Sequence, residues 1–268
     1  MDRKIIDITA LGLADDGFYN ISNDDIYVIK SDSKINIKPG IKAYLIDNTK
    51  NSKIYVNVGN DASVDYTITF SNSTERVFDL YGELIINEIL LENSNEKFTC
   101  NLLRENATVN KKLLAFADGI KQNVVERINH NVVKTFSDIS NIGISMNKGD
   151  INFDITGYIK KGMNKTNCRQ LSRGVVMDND SKITAKPILL IDEYDCFASH
   201  GATIGKMSDE DLFYLMSRGL SKNEAFLLIL SGIVKPFIDR LPIDSMKEDI
   251  MNRINNMIEK WDWWILIN

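Results

Sequence analysis

From Lys4 to about Asp192 the chain is written in short runs with an apolar residue at every second position, rich in Ile, Val, Thr, Tyr and Phe. Ile54-Val56-Val58, Tyr66-Ile68-Phe70, Ile142-Ile144-Met146 and Ile151-Phe153-Ile155 are examples, each bounded by Asn, Asp, Ser, Gly or Lys. A period of two marks strands that bury one face. No convincing helical pattern interrupts this stretch and the whole chain has only four prolines, so a doubly wound sheet of alternating strands and helices is disfavoured. A body of many short strands must dispose of its edges by pairing two sheets, closing a barrel or winding into a solenoid. The pattern alone does not choose among these. The lack of a hexapeptide repeat weakens a left-handed β-helix and leaves irregular right-handed coils open.

At Ser208 the period changes from 2 to 3.6. Ser208 is placed to cap a helix that opens with Asp209, Glu210 and Asp211, and Gly219 to end it in the left-handed conformation. Leu212, Leu215 and Met216 share one of its faces. Ser221 and Glu224 form a capping box before Ala225-Phe226-Leu227-Leu228-Ile229-Leu230, a helix apolar nearly all round. A third helix is expected from about Asp244, with Ser245 and Glu248 as another S-x-x-E pair and a stripe of Met246, Ile250, Ile254, Met257, Ile258 and Trp261. The expected division is a β core over residues 1–205 and a helical subdomain over 206–268. A helix greasy on all sides needs cover on all sides. A central place in its own subdomain or a partner protein each supplies it.

Composition narrows the function classes. With 268 residues, 44% of them hydrophobic, the chain can bury a large core without disulfides. A formal charge of -5 gives no overall pull toward nucleic acid. Cys100, Cys168 and Cys196 are far apart and outside any C-x-x-C pair, so neither a disulfide framework nor a prebuilt zinc site is encoded and a reducing, cytoplasmic setting is expected. The N-terminus meets acids before any apolar stretch reaches secretory length. The greasiest segment, Ala225 to Val234, is about half the ~20 residues that span a bilayer. No membrane association is expected, and with no G-x-x-x-x-G-K-[ST] in the chain, no nucleotide is expected to be bound by it.

Three constellations carry possible chemistry. Cys196 and His200 lie four residues apart, on one side of an extended strand, and thiolate and imidazole both ligate iron. The plainer reading makes Cys196 a small buried hydrophobe and His200 a hydrogen-bonded loop residue. His130 alternates with apolar neighbours and is expected on the polar side of a strand in a structural role. Asp150, Asn152 and Asp154 line one strand face, as calcium ligands, as the paired carboxylates of a β-solenoid polysaccharide lyase or hydrolase, or simply as a solvated face.

From Pro187 onward the chain closely resembles the SufB/SufD family of iron–sulfur cluster assembly proteins. The residues that carry the resemblance are Pro187, Leu189, Ile191 and Asp192, then Ala198, His200, Ala202 and Gly205. Leu212-Phe213-Tyr214-Leu215, Ser217-Arg218-Gly219-Leu220 and Glu224-Ala225 continue it. Upstream, His130 with Thr135 and Ser137, Gly149, Phe153, Gly157, Ile159, and Gln170 with Ser172-Arg173 echo the same succession. Residues 1–110 show β character alone.

The resemblance implies a right-handed parallel β-helix, mainly β, with a C-terminal α-helical subdomain. It implies a scaffold that is not itself an enzyme. Such a scaffold pairs with a SufB-like subunit, or a second copy of itself, and docks a SufC-type ABC ATPase through its C-terminal helices. Phe213, Tyr214, Leu215, Arg218, Gly219, Phe226 and Leu230 are the docking candidates. The run around S-H-G-A-T is more similar to SufD than to SufB. His200 is then the residue that holds a transient iron–sulfur cluster shared with a partner subunit, with Cys196 a lesser candidate. The cysteine that some members carry two residues before that histidine is here Ala198.

Overall fold

The computed structural model describes residues 3–70 and 72–259. Among the described residues, seventeen strands run from Ile5–Asp7 to Cys196–Lys206, with one 3-10 turn at Ile8–Leu11 near the start. Strands alternate between two sheets, the odd ones forming a sheet of nine and the even ones a sheet of eight. Each pairs in parallel with the strand two along. The result is a parallel β-helix in which every coil lays one strand in each sheet. Neither a barrel nor an antiparallel sandwich is present.

The coils lengthen along the chain. Ile5 lies against Ile26, 21 residues on, whereas Asp150 lies against Lys182, 32 residues on. That drift is why no fixed repeat shows in the sequence. What repeats is the inward side chain, as in one column through the even sheet formed by Ile35, Val56, Phe78, Cys100, Ile128, Gly157 and Leu189. Cys100 is one fully buried rung of that stack, its thiol pushed up by burial, and acts as a small hydrophobe. Gly157 is a rung because the lumen is full there. A Cβ would sit 2.5 Å from Cys168 Sγ and 2.9 Å from Gln170 Nε2.

Three helices follow: α1 (Asp209–Ser217), α2 (Lys222–Ile238) and α3 (Asp244–Glu259). Ser208 accepts from Asp211 N–H at 3.1 Å, and the Ser221–Glu224 capping box is formed in both directions. At α3 the structure differs from expectation. The helix already turns at Asp244, with the N–H groups of Met246 and Lys247 on Ile243 O, so Ser245 lies inside it and does not cap it. Ile250, Ile254 and Ile258 form the buried stripe, and the expected extension to Trp261 lies outside the described residues.

The helices lie on the outer face of the nine-stranded sheet. Ile89, Leu114, Phe116, Ile144 and Met146 pack there against α2, whose Ala225, Phe226, Leu230, Val234, Phe237 and Ile238 are all buried. Asn87 adds a tie, donating from Nδ2 to Phe237 O at 2.9 Å. Under the helices this sheet is therefore covered on both faces, and Ile142-Ile144-Met146 points outward there while Asn141 and Ser145 fill the lumen. Sheet and neighbouring helices cover most of α2. Leu227 and Leu228 stay 43% and 51% exposed.

Candidate functional site

The last two strands, Lys182–Ile191 and Cys196–Lys206, each pair on one side only, with Asp150–Ile159 and Thr166–Val176 respectively. Among the described residues no further coil covers them, so the lumen ends open there. Register sets which side chains stand at that end: Cys196 lies against Thr166, Ala198 against Cys168 and His200 against Gln170. Those three partners are buried and inward-facing, so Cys196, Ala198 and His200 continue the lumen columns one layer further, where nothing stacks on them. Facing them, Ile183, Ala185, Pro187, Leu189 and Ile191 continue the columns of the other sheet. His200 thus stands on a strand, not in a loop, and is solvent-exposed.

Four residues of extended chain put Cys196 and His200 about 13 Å apart along the backbone. That is too far for both to bind one ion, since metal–ligand bonds to nitrogen and sulfur are only about 2.0–2.3 Å. Among the described residues no group of three or more His, Cys, Asp or Glu side chains could hold a metal. The Cys196 thiol is pushed up by partial burial and by the Glu193 and Asp195 carboxylates, and it donates to Glu193 O at 3.3 Å. It is a poor thiolate as it stands. Cys168 lies inside the lumen, its thiol also raised by burial.

The other candidates fall elsewhere. His130 is inward-facing and fully buried, contrary to the expected polar face. It sits in phase with Val124, Glu126 and Ile128, its ring nitrogens 2.8 Å from Thr135 Oγ1 and 3.0 Å from Ser137 Oγ. Burial pushes its pKa down to about 4, so it is neutral and structural. Asp150, Asn152 and Asp154 lie on the outer face of their strand. Asp154 pairs with Arg127 at 2.8 Å, Asp150 with Lys121 at 3.5 Å, and Asn152 joins an amide ladder to Asn123. Each carboxylate is matched by a cation of the preceding coil, which is a solvated strand face and not an acid–base pair.

On the helices, Phe213 and Tyr214 are 74% and 57% exposed. Leu215 is half-buried, and Arg218 lies over the Tyr214 ring, 5.3 Å from its centroid. Gly219 takes φ +97° to end α1. Phe226 and Leu230 are core, packed on the sheet, so they hold α2 in place and are not available to a partner.

The structure also holds two buried ionic groups that sequence reasoning missed. Arg76 bridges Asp47, at 2.7 Å, and Glu96, while Tyr66 donates to Asp47 at 2.7 Å. Lys111 bridges Glu88 and Glu126, at 2.7 Å from the latter, and Asn141 donates to Glu126 at 2.6 Å. Burial opposes the Lys111 charge, but Glu126 and Glu88 outweigh it and hold the ammonium above its usual range. The signal was phase. Arg76 alternates with Phe78 and Leu80, and Lys111 with Val109 and Leu113, which places both inward.

Comparisons with known proteins converge on one family. A family profile described as "SUF system FeS cluster assembly, SufBD core domain" matches residues 82–233. The iron–sulfur cluster assembly protein SufD of Bacillus subtilis (strain 168) is 35% identical over 117 residues, 44% of this chain and 27% of that protein. An iron–sulfur cluster assembly SufBD family protein of Staphylococcus aureus (strain USA300) is 28% identical over 228 residues, 79% of this chain and 47% of that protein. The chain thus spans less than half the length of these curated relatives. The matched profile contains the open end of the solenoid and most of α2.

Proposed function

This chain belongs to the SufBD family of SUF-system iron–sulfur cluster assembly proteins, and on that premise we propose that it is a non-catalytic, SufD-like scaffold subunit. Its role is to help hold a nascent cluster at the open end of the solenoid, together with a second SufBD-type chain, and to dock an ABC-type ATPase on its helices. The observation that carries the reading is the unfinished last coil. Two strand edges are unpaired there, among the described residues, and open strands are templates for another chain. Ile188, Leu190 and Phe197 are exposed beside them, and His200 stands on the open lumen.

The chemistry is complementary. His200 offers one imidazole nitrogen to iron, and the distance to Cys196 leaves the remaining ligands to come from elsewhere. A paired chain supplies them and shuts out water, since transient clusters need soft ligands and a closed surround. The cluster is cargo in this reading. Phe213 and Tyr214, aromatic and outward on α1, are the anchors suited to a partner, because exposed aromatics dominate interface energies.

Co-expression with a SufB-type subunit and the ABC ATPase tests both contacts. Leu190→Lys is expected to weaken retention of the SufB-type chain, and Phe213→Ala or Tyr214→Ala retention of the ATPase, each by at least ~1 kcal/mol. Full retention of both partners by all three variants, with folding intact, defeats the reading.

A further inference from the structure

Beneath His200 the lumen holds an acceptor with nothing to accept. Gln170 lies directly against His200 in the parallel register, one rung below it, and is only 3% exposed. Its amide is fixed in orientation. Nε2 donates to Ile188 O at 3.3 Å, and since a carbonyl can only accept, the nitrogen must be the arm turned that way. Gly157 leaves room for this amide, because a Cβ there would stand 2.9 Å from Gln170 Nε2. The other arm, Oε1, is buried and has no hydrogen-bond partner among the described residues. A buried amide oxygen in that state calls for a donor, since folding has removed its water without replacing it.

Register says which donor. Side chains directly opposite across a sheet stand about 4.8 Å apart and diagonal ones about 7–8 Å. His200 is therefore nearer to Gln170 than to Cys168 or Ser172, its diagonal neighbours. Ser172 is two residues further along the strand of Gln170, about 6.6 Å away. The His200 ring, unlike that of His130 with its two hydroxyls, is exposed and can turn onto the oxygen below it.

We infer that Gln170 is a positioning residue: its Oε1 accepts the Nδ1–H of His200, so that Nε2 keeps its lone pair and faces the open end. Nδ1 is the ring nitrogen beside the side-chain stem and so the one on the level of the neighbouring rung, whereas Nε2 lies at the far edge of the ring. A metal-binding histidine donates its other ring N–H to an oxygen in the same way, which sets the tautomer and the ring's direction. The use of that lone pair on iron rests on the role proposed for His200. The hydrogen bond itself does not.

The chain has two histidines, so ring 15N spectra of the histidine-labelled full chain resolve both. At about pH 8, well above the ordinary imidazole pKa, His200 should be the Nδ1–H tautomer, opposite to the Nε2–H form that free histidine side chains favour in water. Gln170→Met keeps the length, removes the acceptor and should return His200 to the Nε2–H form, with the His130 tautomer unmoved. Gln170→Glu keeps an oxygen in place and should hold Nδ1–H. In the complex with a SufB-type subunit and the ABC ATPase, Gln170→Met should lower bound iron several-fold and Gln170→Glu should stay within twofold of the unsubstituted chain, although both lose the bond to Ile188. An Nε2–H His200 in the unsubstituted chain overturns the inference, as does a tautomer that Gln170→Met leaves unchanged. Equal iron loss in the two Gln170 variants also overturns it, by leaving a structural role alone, and so does full iron in Gln170→Met beside a loss in His200→Ala. Full iron in His200→Ala overturns the proposed role of His200 instead, and the tautomer then decides the inference.

Discussion

The two histidines of this chain stand on inward columns of different sheets, His130 in the sheet of eight and His200 in the sheet of nine, at different heights of the solenoid, and they have opposite fates. Both point along inward columns of the β-helix. His130 lies in the middle, where further coils close over it. It is fully buried, held by two hydroxyls and driven to neutrality. His200 lies on the final strand, where the column stops and the ring meets solvent. Residue type and inward orientation are shared, while the sheet, the place along the strand and the number of coils above differ. In a solenoid, availability for chemistry is therefore a property of the ends, while the middle turns the same side chains into structure.

The sharpest way to break this contrast is to remove a charge from the closed middle. Lys111→Met leaves Glu88 and Glu126 buried without their cation, and denaturant unfolding should show a loss of about 3–5 kcal/mol. A loss below about 1 kcal/mol would mean the middle is not the sealed compartment described.

The pH dependence of stability comes next. The His130 pKa falls from 6.5 to about 4 on folding, so above pH 6.5 neither state binds the proton and nothing is lost. Between 6.5 and 4 the unfolded chain takes up a proton the folded one refuses, and stability drops as pH falls, by about 3 kcal/mol in all. His130→Gln should remove that component from unfolding free energies measured across the window, and His200→Ala should leave it in place. A smaller effect separates the two rings directly. His130→Ala removes the ring to which Thr135 and Ser137 hydrogen-bond and leaves a void, at about 2 kcal/mol. His200→Ala, at an exposed position, should stay within about 0.5 kcal/mol in the same unfolding assay.

Much of this architecture was legible in the sequence because strand and helix periods are local. The alternation before residue 192, the Ser208 and Ser221 caps and the helical turn of phase after residue 207 all follow from neighbouring residues. What local pattern does not carry is the company a face keeps. Ile142-Ile144-Met146 reads as an inward run, yet it faces out because α2 lies on it. Ser245 reads as a cap, yet the helix begins one residue sooner. His130 reads as outward because polar residues usually are, and only pairing with Thr135 and Ser137 across the coil makes its burial tolerable. The candidate site was found by resemblance around His200, not by its chemistry. One imidazole and one thiol some 13 Å apart have no metal-site spacing to detect.

The most direct test of the account is the iron and sulfide content of the complex formed with a SufB-type subunit and the ABC ATPase, purified without oxygen, with His200→Ala set beside His130→Gln. The account predicts that His200→Ala leaves the complex assembled but lowers its bound iron and sulfide, and that His130→Gln, once folded, does not. Equal iron and sulfide in the His200→Ala complex would contradict the claim that the open end of the solenoid is where the cluster is held.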